Sequence, residues 1–177
     1  MANTTPTTNS LENYFLPFTA NKDFKKEPRL LDRGEGVYYW NHKGDQVIDA
    51  SSGLFCVPLG HGRKEIAEAV HQQLLTLDYA PSFQVSHLPA FTLAKKVANL
   101  LPGDLNNVFF TICGSTAIDS AIKMIQAYQH AIGQSQRVRF VSRERAYHGV
   151  NIGGTSLSGM IKNREVFTAT MPGVIHL

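Results

Sequence analysis

Residues 108–124, VFFTICGSTAIDSAIKM, set a Cys-Gly-Ser-Thr corner between an apolar run and an amphipathic stretch. Small, hydroxylated residues where a strand turns into a helix suit an anion. A helix start offers free backbone N–H groups and the positive end of the helix dipole. Gly114 allows close approach, and the Ser115 and Thr116 hydroxyls add donors. No Gly-Lys-Ser/Thr follows and no GxGxxG is present, so this is neither a Walker loop nor a dinucleotide fingerprint. The same residues also read as a plain tight turn, with Gly114 as turn glycine and Ser115 as an N-cap needing no ligand. A second group, RERAYHGVNIGGTS at 143–156, follows the next apolar run. Tyr147 is a flat ring, followed by His148, Gly149 and small residues that leave space. A planar cofactor could place its phosphate at the corner and its ring against Tyr147. Taken singly, Tyr147 also reads as a core aromatic and His148 as a satisfied buried histidine.

The elements that must position these groups follow from periodicity. The segment 36–53 predicts a β-hairpin, with an aromatic strand, a Lys43-Gly44-Asp45 turn, and Val47 and Ile48 in the return strand. Residues 63–77 place Ile66, Ala67, Val70, Leu74 and Leu77 on one helical stripe. A second helix is predicted from a cap at Ser86 through Phe91, Ala94, Val97 and Leu101 to a Pro102-Gly103 stop. The run 107–112 lacks polar alternation, as expected of a strand buried on both faces. The helix after it repeats Ile118, Ala121, Ile122, Ile125, Tyr128 and Ile132 and stops at Gly133. Residues 138–142 form the next expected strand, giving a parallel βαβ unit over 107–142, and 173–177 begins as another. A parallel sheet needs several covered strands, so the sheet reads as the front part of a longer one.

The bulk properties exclude several classes. The 177 residues are 43% hydrophobic and 18% charged, an ordinary globular composition for one domain or slightly more. The net charge is +3, but the densest basic cluster, 22–29, is broken by Asp23 and Glu27, so no nucleic-acid face is expected. Cys56 and Cys113 form no CxxC and have no histidine at ligand spacing, which argues against a zinc site and a disulfide framework while leaving one disulfide open. The polar first ten residues do not read as a signal peptide, and no apolar run approaches the roughly 18 residues that cross a bilayer. A cytoplasmic protein without membrane contact or metal is expected.

Taken together, the chain resembles the class III aminotransferases, pyridoxal 5'-phosphate enzymes of fold type I, in the ω-amino-acid:pyruvate (β-alanine:pyruvate) branch. The likeness rests on FLPFTANKDFK (15–25), the run from 38 to 70, LPGDLNNVFFTICGSTAIDSAIKMIQAYQ (101–129) and YHGVNIGGTS (147–156). It implies an α/β fold in which a small-domain hairpin precedes an incomplete, mostly parallel large-domain sheet with helices. The implied domains are a flexible tail over 1–12, a small-domain segment over 13–62, and the start of the pyridoxal-phosphate domain over 63–177. Gly114, Ser115 and Thr116 match the phosphate corner, Tyr147 the ring platform, and His148 and Gly149 complete that motif. Leu54 and Phe55 match the substrate pocket, with Phe18 and Phe83 as further candidates. The family usually has Asn-Ser-Gly-Ser-Glu at the corner, where this chain has Ile112, Cys113, Gly114, Ser115 and Thr116, and often Asn where Pro58 stands. The family's Schiff-base lysine, pyridine-nitrogen aspartate and carboxylate-reading arginine have no counterpart here, so no catalytic residue is assigned and Lys123 and Lys162 read as solvated.

The implied function is transfer of an amino group from an ω-amino acid or amine to a keto acid such as pyruvate, in a homodimeric full-length form. The 177 residues alone are expected to be inactive. The alternative is a naturally short, non-catalytic protein that binds pyridoxal phosphate or another phosphate-bearing ligand. A third is an unrelated α/β binding protein.

Overall fold

A computed structural model describes residues 11–177. The tail expected over 1–12 lies almost wholly outside the described residues. The chain divides into two compact units, the first ending at Ser86 and the second spanning His87–Leu177.

In the first unit a short helix, α1 (Asn21–Lys26), precedes an antiparallel meander of β1 (Leu31–Glu35), β2 (Tyr38–Asn41) and β3 (Gln46–Ile48). The expected hairpin is β2–β3, with Tyr38 opposite Ile48 and Trp40 opposite Gln46. The Asn41 carbonyl Oδ1 accepts from the N–H groups of Lys43 and Asp45 at 3.0 and 2.9 Å, which closes the turn. Strand β1 was not legible. Its sequence, LDRGE, has no alternation, and its pairing with β2 is bulged between Leu31 and Arg33. Arg33 earns its place by lying 3.6 Å over the Trp40 ring. After α2 (Ser52–Phe55), a single left-handed turn, the predicted helix appears as α3 (Lys64–Thr76).

The second unit begins with α4 (Leu88–Ala98). Its cap is His87, not Ser86, because Pro89 falls in the first turn, where a missing N–H costs nothing. It ends three residues before the expected Leu101. The long helix after the corner is α5 (Gly114–Ala131), followed by β4 (Phe140–Ser142), α6 (Ile152–Leu157), α7 (Ile161–Arg164) and β5 (Val174–His176).

The strand expected over 107–112 does not form. A strand exists only through a ladder, and among the described residues nothing pairs with this segment. Phe109, Phe110 and Ile112 are exposed instead of buried on both faces. The parallel pair is therefore β4–β5, with Phe140 opposite Val174 and Ser142 opposite His176, and α6 and α7 lie in the connection. Helix α6 has a poor helical sequence, IGGTSL, yet forms because its small residues pack tightly. At Gly154 a side chain would collide with the His148 carbonyl, and at Gly153 with Asp119.

The interior of this unit is unusual in chemistry. Among the described residues Ile122 is the one buried large apolar side chain, while Ser115, Ser142, Thr155, Ser156 and Ser158 are buried hydroxyls. Much of the apolar stripes of α3, α4 and α5, including Ile66, Val70, Phe91 and Ile125, stays exposed. Exposed apolar surface on this scale drives association. The isolated 177-residue chain should therefore bind a hydrophobic dye and gain mass with concentration in light scattering. A dye-silent, concentration-independent monomer would contradict this.

Candidate functional site

The candidate cofactor residues meet at the start of α5. Its N-cap is Cys113, so Gly114, Ser115 and Thr116 are the first three helical positions. Gly114 does not have a positive φ, and Ser115 is not the cap. The cap is thus Cys113, and Gly114 is a helical residue rather than a turn glycine. Nothing lies within 4 Å of where a Cβ at Gly114 would stand, which leaves open space against the first turn. The first N–H groups of a helix have no carbonyl partner of their own, and this space adjoins the first of them, at Gly114.

Cys113 and Thr116 close a capping box. The thiol accepts from the Thr116 N–H, and Thr116 Oγ1 accepts from the Cys113 N–H at 3.3 Å and donates to the Cys113 carbonyl at 2.9 Å. The Thr116 hydroxyl is therefore spent within the helix start. The same contacts hold the Cys113 thiol below its usual pKa, through hydrogen bonding with the Thr116 side chain first, then with its backbone, and with Ser115.

Ser115 is buried and its Oγ accepts from the Val150 N–H at 3.0 Å. Gly149, at φ +118°, makes that approach possible, since a Cβ there would lie 2.7 Å from Ser115 Oγ. His148 Nε2 lies 3.0 Å from the Ser142 hydroxyl at the carboxyl end of β4. Buried hydroxyls secure the rest of the loop. Thr155 Oγ1 donates to the Val150 carbonyl, Ser158 Oγ donates to the Ala146 carbonyl, and Ser156 Oγ accepts from the Met171 N–H. Tyr147 between them is 56% exposed, so it is not a core aromatic of this unit. A cleft of about 720 Å³ at the end of β4 is lined by Ser142, Ala146 and His148 among others, but not by Tyr147 or Gly114. Asp119 was missed by sequence reading. Its Oδ1 accepts from the Gly154 N–H at 3.2 Å and ties α5 to α6, and nothing in the local pattern announces it.

The candidate pocket residues lie in the first unit. Phe18, Leu54, Phe55 and Phe83 are all exposed, and Phe18, Leu54 and Phe55 have positive φ. Asp49 is a second residue that the sequence did not announce. Its Oδ1 accepts from the Ser51 N–H and hydroxyl, both at 3.1 Å, and its Oδ2 accepts from the Gly53 N–H at 2.7 Å and His61 Nε2 at 2.8 Å. The bond from His61 chiefly holds the Asp49 carboxyl below its ordinary pKa, against a smaller opposing effect of burial. Burial, then the charge and hydrogen bond of Asp49, pushes the Tyr39 phenol up. Among the described residues no group of three or more His, Cys, Asp and Glu is placed to hold a metal, and no helix is long and apolar enough to cross a membrane.

Comparison with known proteins gives a consistent match. The Aminotransferase class-III family matches residues 19–177. The β-alanine–pyruvate aminotransferase of Pseudomonas aeruginosa is 49% identical over 168 residues, covering 95% of this chain and 37% of that one. The ω-amino acid–pyruvate aminotransferase of Pseudomonas putida is 47% identical over 94% of this chain and 37% of its own length. A crystal structure of a thermostable (S)-enantioselective ω-transaminase from Thermomicrobium roseum superposes with a TM-score of 0.92 at 36% identity, over 97% of this chain and 39% of that one. The ω-transaminase of Pseudomonas jessenii in complex with PMP has a TM-score of 0.92 at 32% identity, over 98% and 39%. The chain thus spans about 37% of the length of the curated relatives it matches.

Two variants separate the glycines. Gly149→Ala adds a Cβ against Ser115 at a φ that disfavours it, and should cost about 2–4 kcal/mol in denaturant unfolding. Gly114→Ala meets nothing and should be neutral or gain roughly 0.5 kcal/mol. Asp49 gives an acid signature. A depressed carboxyl stabilises the fold above its unfolded pKa of about 3.9, and that contribution is lost as pH falls through the lower folded value. Asp49→Asn should flatten this acid limb in thermal melts taken from about pH 6 down to about pH 2. An unchanged limb would show that Asp49 gains nothing from its partners.

Proposed function

Because the chain belongs to the class III aminotransferases, we propose that it forms the phosphate and ring half of a pyridoxal 5'-phosphate site in an ω-amino-acid:pyruvate aminotransferase. The observation that carries this is the open space at Gly114 on the first turn of α5, beside a loop that carries an exposed Tyr147 and packs on the same helix start. The residues fit the group. The Gly114 N–H and the α5 dipole hold the phosphate, a dianion at neutral pH that the helix start favours. Ser115 is assigned to the same phosphate corner, where its oxygen accepts from Val150 and ties the 147–150 loop to the helix start. Thr116 acts by closing the capping box rather than by reaching the phosphate. Tyr147 supplies the stacking face, His148 anchors its loop to Ser142, and Gly149 lets that loop close on the helix.

Bound there, the cofactor supplies an electron sink for bonds at the amino-bearing carbon. This chain's part is binding and orientation. Residues 13–62 act as the small domain, and 63–177 as the start of the large one. Leu54 and Phe55, with Phe18 and Phe83, are assigned to the walls that receive an ω-amino donor and the keto acid. None of the chain's lysines is assigned a covalent role, and the working form is taken as a cytoplasmic homodimer, which the two unpaired cysteines suit. A second reading, a short non-catalytic phosphate-ligand protein, is favoured by Thr116 and Ile112 standing where the family has Glu and Asn.

The test is amino transfer by the natural protein. With pyridoxal phosphate, β-alanine and pyruvate it should form alanine, while the isolated 177 residues should form none. No alanine from any ω-amino acid, with a native intact mass of 19.6 kDa, would favour the second reading.

A further inference from the structure

The turn that carries Leu54 and Phe55 is held in a costly conformation. Ser52, Gly53, Leu54 and Phe55 have φ of 52, 58, 55 and 68°, four successive left-handed residues of which three are not glycine. Each non-glycine residue there is disfavoured, and such runs persist only when the surroundings impose them. Short backbone bonds close the turn, from the Phe55 N–H to the Ser51 carbonyl at 2.9 Å and from the Val57 N–H to the Ser52 carbonyl at 2.8 Å. The start of the turn is held by one carboxylate. Asp49, with a side chain 4% exposed, receives Ser51 and Gly53 from the turn and His61 from beyond it.

His61 is itself fixed to the sheet. Its ring packs against Tyr39 in a tilted arrangement, with centroids 4.2 Å apart and planes at 45°. Its backbone exchanges two hydrogen bonds with Gly36, at 2.8 and 3.0 Å. A Cβ at Gly34 would lie 2.9 Å from the ring, so β1 closes over it. The chain of contacts runs from strand to histidine to carboxylate to turn.

We propose that Asp49 and His61 are positioning residues that hold Ser52–Phe55 left-handed, and so set the direction in which Leu54 and Phe55 face a substrate. The clamp rests on geometry alone. Its substrate consequence rests on the pocket reading given above. Neither residue needs to touch the substrate.

The experiment uses the natural protein with its cofactor, and two readouts. Asp49→Asn should speed amide exchange at Ser52–Phe55 at least tenfold over the β2–β3 hairpin. His61→Phe keeps a ring on Tyr39 and removes only the bond to Asp49, so it gives the same reading if Asp49→Asn fails to fold. His61→Gln, which can still donate, should restore most of the protection. In kinetics, Asp49→Asn should raise KM for the amino donor about tenfold with kcat within threefold, and should add little to Phe55→Ala. Unchanged exchange in both clamp variants overturns the proposal, as do losses that add fully in the double variant. If Phe55→Ala leaves KM unchanged, the pocket reading fails instead, and faster exchange still upholds the clamp.

Discussion

The second unit depends on one close approach, that of the 147–150 loop to the start of α5. Ser115 accepts the Val150 N–H, and Gly149 has no side chain to obstruct it. Move that contact by the width of a methyl group and the loop leaves the helix start. Tyr147 would then lose its relation to the open space at Gly114. The two glycines serve opposite ends. Gly149 is bare so that protein can pack against protein, and Gly114 is bare with nothing packed against it.

The surroundings reinforce this contact with hydroxyls where a typical domain would use aliphatic side chains. Thr155, Ser156 and Ser158 each satisfy or receive a backbone group of a neighbouring segment, and Ser142 holds His148. A buried polar network of this kind specifies geometry more strictly than apolar packing, because each unpaired group left behind is costly. Asp49 plays the corresponding part in the first unit. One carboxylate there satisfies four donors and fixes a turn that the backbone alone disfavours. In both units a candidate site rests on local polar contacts more than on bulk burial.

Much of this was legible in the sequence, and the misses share a cause. The hairpin, α3, α4 and α5 followed from periodicity and turn residues, and the collinear motifs pointed to the family that the comparisons show. Strand β1 and helix α6 were missed because neither LDRGE nor IGGTSL has the pattern of its element; tertiary contacts at Arg33 and at the paired glycines decide both. The strand expected over 107–112 failed for the opposite reason. Its apolar run states a preference, while a strand also needs a partner. Asp49 and Asp119 were silent because a single aspartate carries no spacing signal. Their roles exist only once distant residues are adjacent.

The central claim is that the space at Gly114 receives the cofactor phosphate. The most direct measurement compares the affinities of pyridoxal phosphate and phosphate-free pyridoxal for the cofactor-stripped natural protein and its Gly114→Ala variant. A methyl group in that space should weaken pyridoxal phosphate at least tenfold, about 1.4 kcal/mol, and leave pyridoxal unchanged. Equal affinity of the variant and the parent for pyridoxal phosphate would contradict the account.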